Sequence, residues 1–187
     1  MLGRLDKQTS GLVLVSKRPA IQAALQRTGA ALRIHKEYLA VVWGKPTPQR
    51  GTIDLALDRD PWDRRRVTVT DRGGQPAVTK YERLASSARD TVEAKPGFSI
   101  VRCQLVTGRT HQIRVHLATK GWPIVGDATY GRPHPFPRQA LHAWRLTFPH
   151  PVTRKEITIT APLPADIKEL CDTLGLGHGV FSHPTRS

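Results

Sequence analysis

Sulfur is scarce in the 187-residue chain, which has two cysteines, Cys103 and Cys171, and one methionine. The cysteines stand far apart and form no CxxC pair, which excludes a disulfide-stapled scaffold and a cysteine-based zinc site. Nothing approaches the ~18 consecutive apolar residues of a membrane-spanning helix. No secretory leader is expected, because the first apolar run is short and follows Arg4, Asp6 and Lys7. There is no GxxxxGK[ST], no GxGxxG between a strand and a helix, and no GxSxG elbow. Familiar NTPase, dinucleotide-binding and serine-hydrolase chemistries are therefore disfavoured. Acids are the last shortage: 15 Asp and Glu stand against 29 Lys and Arg, a formal net charge of +14.

What is present suffices for a globular domain. Apolar residues make up 39% and charged residues 24%, which excludes a disordered chain, a collagen and a coiled coil. At roughly 100–200 residues per domain, the length fits one domain. A soluble cytoplasmic protein is the ordinary expectation, and its excess positive charge calls for a negatively charged partner, most often nucleic acid. Residues 1–38 hold seven cations against two acids, and residues 101–120 hold four cations and no acid. Arg64, Arg65 and Arg66 add a compact basic spot. A solvated surface is the plain alternative for such charge. No basic amphipathic helix with a Trp/Phe/Leu face points to a membrane surface.

The pattern predicts more strands than helices. Residues 11–17 (GLVLVSK) read as a buried strand and residues 38–43 (YLAVVW) as a central one. Residues 52–57, 66–70 and 78–84 read as short strands separated by turn chemistry at Asp60-Pro61 and Gly73-Gly74. Residues 98–106 alternate as a half-buried strand, and residues 140–148 and 156–160 are strands again. Helices are predicted from Pro19, over 110–120 with Thr110 as N-cap and Gly121 past the end, and over 164–174. The fold class is α+β, a mostly antiparallel mixed sheet with flanking helices. The domain spans residues 1–174, with 175–187 a flexible tail. His111 and His116 lie some 140° apart at ~100° per residue, poor geometry for one metal ion.

Three segments stand out together: GRLDKQTSG at residues 3–11, KEYLAVVWG at 36–44, and TGRTHQIRVHL at 107–117 followed by GDATYG at 126–131. Their order and spacing resemble the RluA-type pseudouridine synthase family over residues 2–163. The family isomerises uridine in RNA by breaking the bond from ribose C1′ to N1, turning the base and rejoining C1′ to C5. The resemblance implies an isomerase that needs no metal and no nucleotide cofactor. It implies ribosomal RNA, probably of the large subunit, as substrate, with transfer RNA as runner-up. It also fits a protein that works as a monomer.

The resemblance assigns roles residue by residue. Asp6 matches the catalytic aspartate, which can attack the substrate or stabilise and deprotonate the ribose. Arg114 matches its basic partner, whose planar guanidinium can bind a carboxylate through two hydrogen bonds. Tyr38 matches the active-site tyrosine, able to stack on the extruded uracil and take part in proton transfer. Arg4 matches the arginine that contacts RNA and helps hold the target nucleotide out of its stack. Lys7 and Lys36 are further RNA-binding candidates, Lys36 and His35 on composition alone. Arg109 and His111 either support the same RNA contact or are structural.

Two departures qualify the match. Gly3 stands where the family usually has His. The family also carries several tens of residues ahead of this motif, including a strand and a Lys-Pro loop, and some members an S4-like RNA-binding module. Either the start is assigned too late or the form is truncated. The expectation is a chain less soluble or less active than one extended upstream, and equal turnover of the two would overturn it. A catalytically inactive RNA-binding module is the competing class, and a zinc hydrolase a remote one.

Overall fold

The computed structural model describes residues 3–26, 34–87 and 97–177. In chain order these form β1 (Ser10–Gly11), α1 (Pro19–Gln26), β2 (His35–Trp43), β3 (Arg50–Asp54), β4 (Leu57–Arg59), β5 (Val67–Val69), β6 (Val78–Ser86) and β7 (Phe98–Leu105). Next come α2 (Gln112–Thr119), β8 (Leu141–Pro149), β9 (Glu156–Thr160) and α3 (Ala165–Thr173). Seven strands make one sheet in the order β1-β8-β2-β7-β6-β3, with β9 also on β8, while β4 and β5 form a separate hairpin. Every pairing is antiparallel except that of β1 with β8. The α+β class read from the sequence is the fold observed.

β2 reads as a nearly unbroken apolar run because it is central. It pairs with β7 on one side and β8 on the other, and residues 38–42 are buried. With Ile100, Val101 and Cys103 of β7 it forms the middle of the main core. The polar side chains of the sheet form a ladder across five adjacent strands, from Arg50 through Glu82, Arg102 and Glu37 to Arg145.

Three expectations need correction. Residues 11–17 are not a buried strand: only Ser10 and Gly11 pair with β8, and Val13 and Val15 beyond them are exposed. The edge of β8 that this run would need is occupied from Arg145 to Pro149 by β9. Thr110 does not cap α2. The N-cap is His111 in a left-handed conformation (φ 55°), with no side-chain cap bond. The packed unit also reaches past residue 174, because Leu176 is buried against the core. Residues 178–187, and the cations Arg27 and Arg33, lie outside the described residues.

α2 is buried at every position from Gln112 to Leu117. Its polar side chains are satisfied internally, as burial demands. Gln112 Nε2 donates to Val78 O and Thr79 Oγ1, both at 3.0 Å, and its Oε1 accepts from Thr107 Oγ1 at 2.9 Å. His116 bonds Leu55 O at 3.0 Å and Thr79 Oγ1 at 2.9 Å. A carbonyl only accepts, so the Nε2 of His116 carries a proton, and neutral Nδ1 accepts from the threonine hydroxyl.

Candidate active site

Asp6 sits in the loop that leads into β1. Its carbonyl accepts the N–H of Thr9 at 2.9 Å, which closes a turn around Lys7 and Gln8. Three contacts hold this turn to the body. Arg138 Nη1 donates to Gln8 O at 3.2 Å, Gln139 Nε2 donates to Thr9 Oγ1 at 3.2 Å, and Ser10 Oγ meets His142 Nδ1 at 2.9 Å. Gly11 has φ +109°, and a Cβ there would lie 2.2 Å from the carbonyl oxygen of Ala143. The loop can seat itself this closely on β8 only with glycine at that position.

Arg114 reaches the loop from α2, with its side chain only 7% exposed. Its two-bond grip goes to Asp127 and not to Asp6. Nε and Nη2 donate to the two oxygens of Asp127 at 2.7 and 2.8 Å, and Nη1 gives a single bond to Asp6 Oδ2 at 3.3 Å. Asp127 Oδ1 also accepts the N–H groups of Thr129 (2.9 Å) and Tyr130 (3.1 Å). Burial works against the charge of Asp127, but the Arg114 bonds outweigh it and hold the carboxyl below its usual range. Burial likewise opposes the Arg114 charge, and Asp127 and then Asp6 overcome it and raise the pKa.

Tyr130 lies beneath this pair, with the Arg114 guanidinium 5.1 Å from its ring centroid. Its hydroxyl accepts the N–H of Val67 at 2.8 Å and meets His111 Nδ1 at 2.9 Å. His111 Nε2 in turn faces Asp6 Oδ2 at 4.0 Å. Burial lowers the His111 pKa, which favours the neutral ring.

Tyr38, on β2, is 8% exposed. Its phenol is pushed up to about 12, by burial first and by the Asp6 charge second. Lys36, two residues earlier, has its pKa lowered by burial. Arg4, Asp6, Lys36, Tyr38, Arg109, His111 and Arg114 all line one cleft of about 150 Å³, with Leu105 and Leu141 as apolar walls. Lys7 is exposed on the turn and does not line it, nor does His35. Arg109 has a structural bond as well, since its Nε donates to Pro76 O at 3.1 Å. The cleft thus presents one carboxylate oxygen bonded to a buried cation, a protonated phenol, and basic side chains around them.

Asp127 and Tyr130 carry no assigned role in the sequence reading, although they lie within the GDATYG segment. A signal was there: Asp127 is the only acid between residues 94 and 155. An isolated acid within a basic stretch, flanked by Gly126 and Gly131, suggests a buried ion pair. A Cβ at Gly126 would lie 2.1 Å from Arg138 O, and one at Gly131 would lie 2.4 Å from Asp127 O.

Residues 1–119 match a family model described as RNA pseudouridylate synthase. The uncharacterised RNA pseudouridine synthase YlyB of Bacillus subtilis is 42% identical over 173 residues, 91% of this chain and 54% of that one. Ribosomal large subunit pseudouridine synthase D of Xanthomonas campestris is 41% identical over 186 residues, 91% of this chain and 53% of that one. The chain therefore spans about half the length of these curated relatives. Among solved structures, human RNA pseudouridylate synthase domain containing 1 superposes with a TM-score of 0.73 at 30% identity, covering 87% of this chain and 68% of that one.

Proposed function

The chain belongs to the RNA pseudouridylate synthase family, and from that premise we propose that it isomerises uridine to pseudouridine in large-subunit ribosomal RNA, with Asp6 as the catalytic carboxylate. The observation that carries this reading is the single bond from Arg114 Nη1 to Asp6, made while Asp127 holds the rest of the guanidinium. The guanidinium is fixed before substrate arrives, so the carboxylate is oriented without reorganisation during the reaction. The choice of ribosomal RNA is supported by relatives whose names state that substrate.

In this reaction the C1′–N1 bond breaks with its electrons staying on N1, C1′ joins C5, the C5 proton leaves, and N1 gains a proton. Asp6 acts while the base is detached, either by attack or by stabilising and deprotonating the ribose. Tyr38, with its phenol near 12, stays protonated at neutral pH, so it serves as a stacking surface and hydrogen-bond donor and not as a resting base. Arg4 and Lys36, in the lining of the cleft, offset part of the few kcal/mol that extruding a nucleotide costs.

Asp6→Asn tests this reading. Tritium release from RNA labelled at uridine C5 should fall to background while RNA affinity stays within about twofold. Retained release would remove Asp6 from its role. Release from transfer RNA but not from ribosomal RNA would overturn the substrate.

A further inference from the structure

The β4–β5 hairpin lies outside the cleft, yet its loop end is bonded to Tyr130, which touches the cleft residue His111. Arg59 pairs with Val67, and residues 60–66 form the loop between the strands. At the loop end of the strands, the N–H of Val67 donates to Tyr130 Oη, and the Arg66 guanidinium lies 5.3 Å from the Tyr130 ring centroid. At the tip, Trp62 is 94% exposed, the most exposed of the large apolar side chains among the described residues. An indole left in water gives up a large burial gain, so one standing alone on an ordered turn needs a reason.

The turn that presents Trp62 is rigidly built. Asp60 Oδ1 accepts the N–H groups of Trp62 (2.9 Å) and Asp63 (3.1 Å), and Arg66 N donates to Asp63 O at 2.8 Å. The charges around it are nearly balanced by number: residues 58–72 hold five arginines and four aspartates. They are not balanced in direction. Asp58 and Asp60 accept backbone N–H groups, and Asp63 is held by Arg65 through two bonds of 3.0 Å. Arg64 has no hydrogen bond or ion pair among the described residues, and it stands two positions from Trp62. An indole face and a free guanidinium two residues apart on one loop match an unpaired nucleotide: a base for the ring and a phosphate for the cation.

We infer that the β4–β5 hairpin is a second RNA contact, in which Trp62 stacks on an unpaired base a few nucleotides from the target uridine and Arg64 binds an adjacent phosphate. The inference rests on the proposed reading of the cleft as an RNA site. Trp62 lies four residues from Arg66, so at ~3.5 Å per residue its Cα stays within about 14 Å of the Arg66 Cα, and Arg66 packs on Tyr130, which touches His111 of the cleft, a separation that a few nucleotides bridge.

The test measures binding and turnover separately in the full chain. Trp62→Ala should weaken binding to an unpaired oligoribonucleotide about fivefold or more, since stacking on an aromatic ring is worth ~1–3 kcal/mol per base. It should raise KM by a similar factor and leave kcat unchanged, because Trp62 is outside the cleft. Trp62→Phe should restore most of the loss. Arg64→Ala should reduce the salt slope of binding by ~0.7, one phosphate on a single strand. Unchanged Kd and KM in Trp62→Ala, with wild-type turnover intact, would overturn the hairpin inference and leave the cleft reading standing. Trp62-dependent RNA binding without any uridine isomerisation would do the reverse. An indole emission shift on anionic vesicles that RNA does not produce would overturn it in favour of a membrane surface.

Discussion

Arg114 meets two carboxylates in different ways. Asp127 takes the edge formed by Nε and Nη2, and Asp6 takes only what Nη1 has left. Asp127 is the structural partner, fully buried, and its removal would leave a guanidinium uncompensated in the interior. Asp127→Ala should cost about 3–5 kcal/mol in urea unfolding, the range for breaking a buried pair by deleting one member. Arg114→Lys keeps the charge but has one ammonium for two carboxylates, so it should lose most turnover while RNA binding persists. Equal turnover in Arg114→Lys would show that the planar fork is not needed. At this scale the sequence was half legible. Asp6, Tyr38 and Arg114 stand out within their motifs, and the structure brings them to one cleft. The partnership of Arg114 with Asp127 was not legible, because it depends on how the turn at residues 126–131 folds back beneath α2.

Between elements, the loop bearing Asp6 is held from the far end of the chain. Asp166, in the first turn of α3, binds Arg138 through two bonds of 2.7 and 3.0 Å. Arg138 passes a third bond to Gln8 O. The Asp166 side chain is 40% exposed, so the pair itself contributes only up to about 1 kcal/mol. Its larger effect is on the turn. Asp166→Ala should speed hydrogen exchange at the Thr9 amide, which donates to Asp6 O, and lower turnover without a matching loss of stability. Unaltered exchange at Thr9 would mean that Gln139 and Ser10 hold the turn unaided. The same loop explains the main misreading of an element. GLVLVSK has the composition of a buried strand, but Gly11 is the last residue to pair, because β9 takes the remaining edge of β8. An apolar run cannot reveal that a segment more than a hundred residues later competes for its partner. β9, by contrast, was legible to its last residue, and Pro19 does open α1.

Over the whole molecule, the +14 charge and the buried and half-buried histidines act in the same direction under acid. Burial lowers the pKa of His111, His116, His134 and His142 below the ordinary imidazole value. Between their folded values and about 6.5, the unfolded chain binds more protons than the folded one, so stability is complete above that window and falls as pH drops through it. Protonation also adds positive charge to a chain that is already strongly cationic. The loss precedes carboxylate titration, which begins near 4. His116 is the most enclosed of these, with no exposed surface and both ring nitrogens bonded. The thermal midpoint should therefore hold from pH 7.5 to about 6.5 and fall from there to pH 5.5. His116→Gln can donate to Leu55 O and accept from Thr79 without titrating, so its midpoint should start lower and fall less over the same interval. A wild-type midpoint that does not move would refute the coupling altogether, and an equal fall in both proteins would assign it to the other three rings.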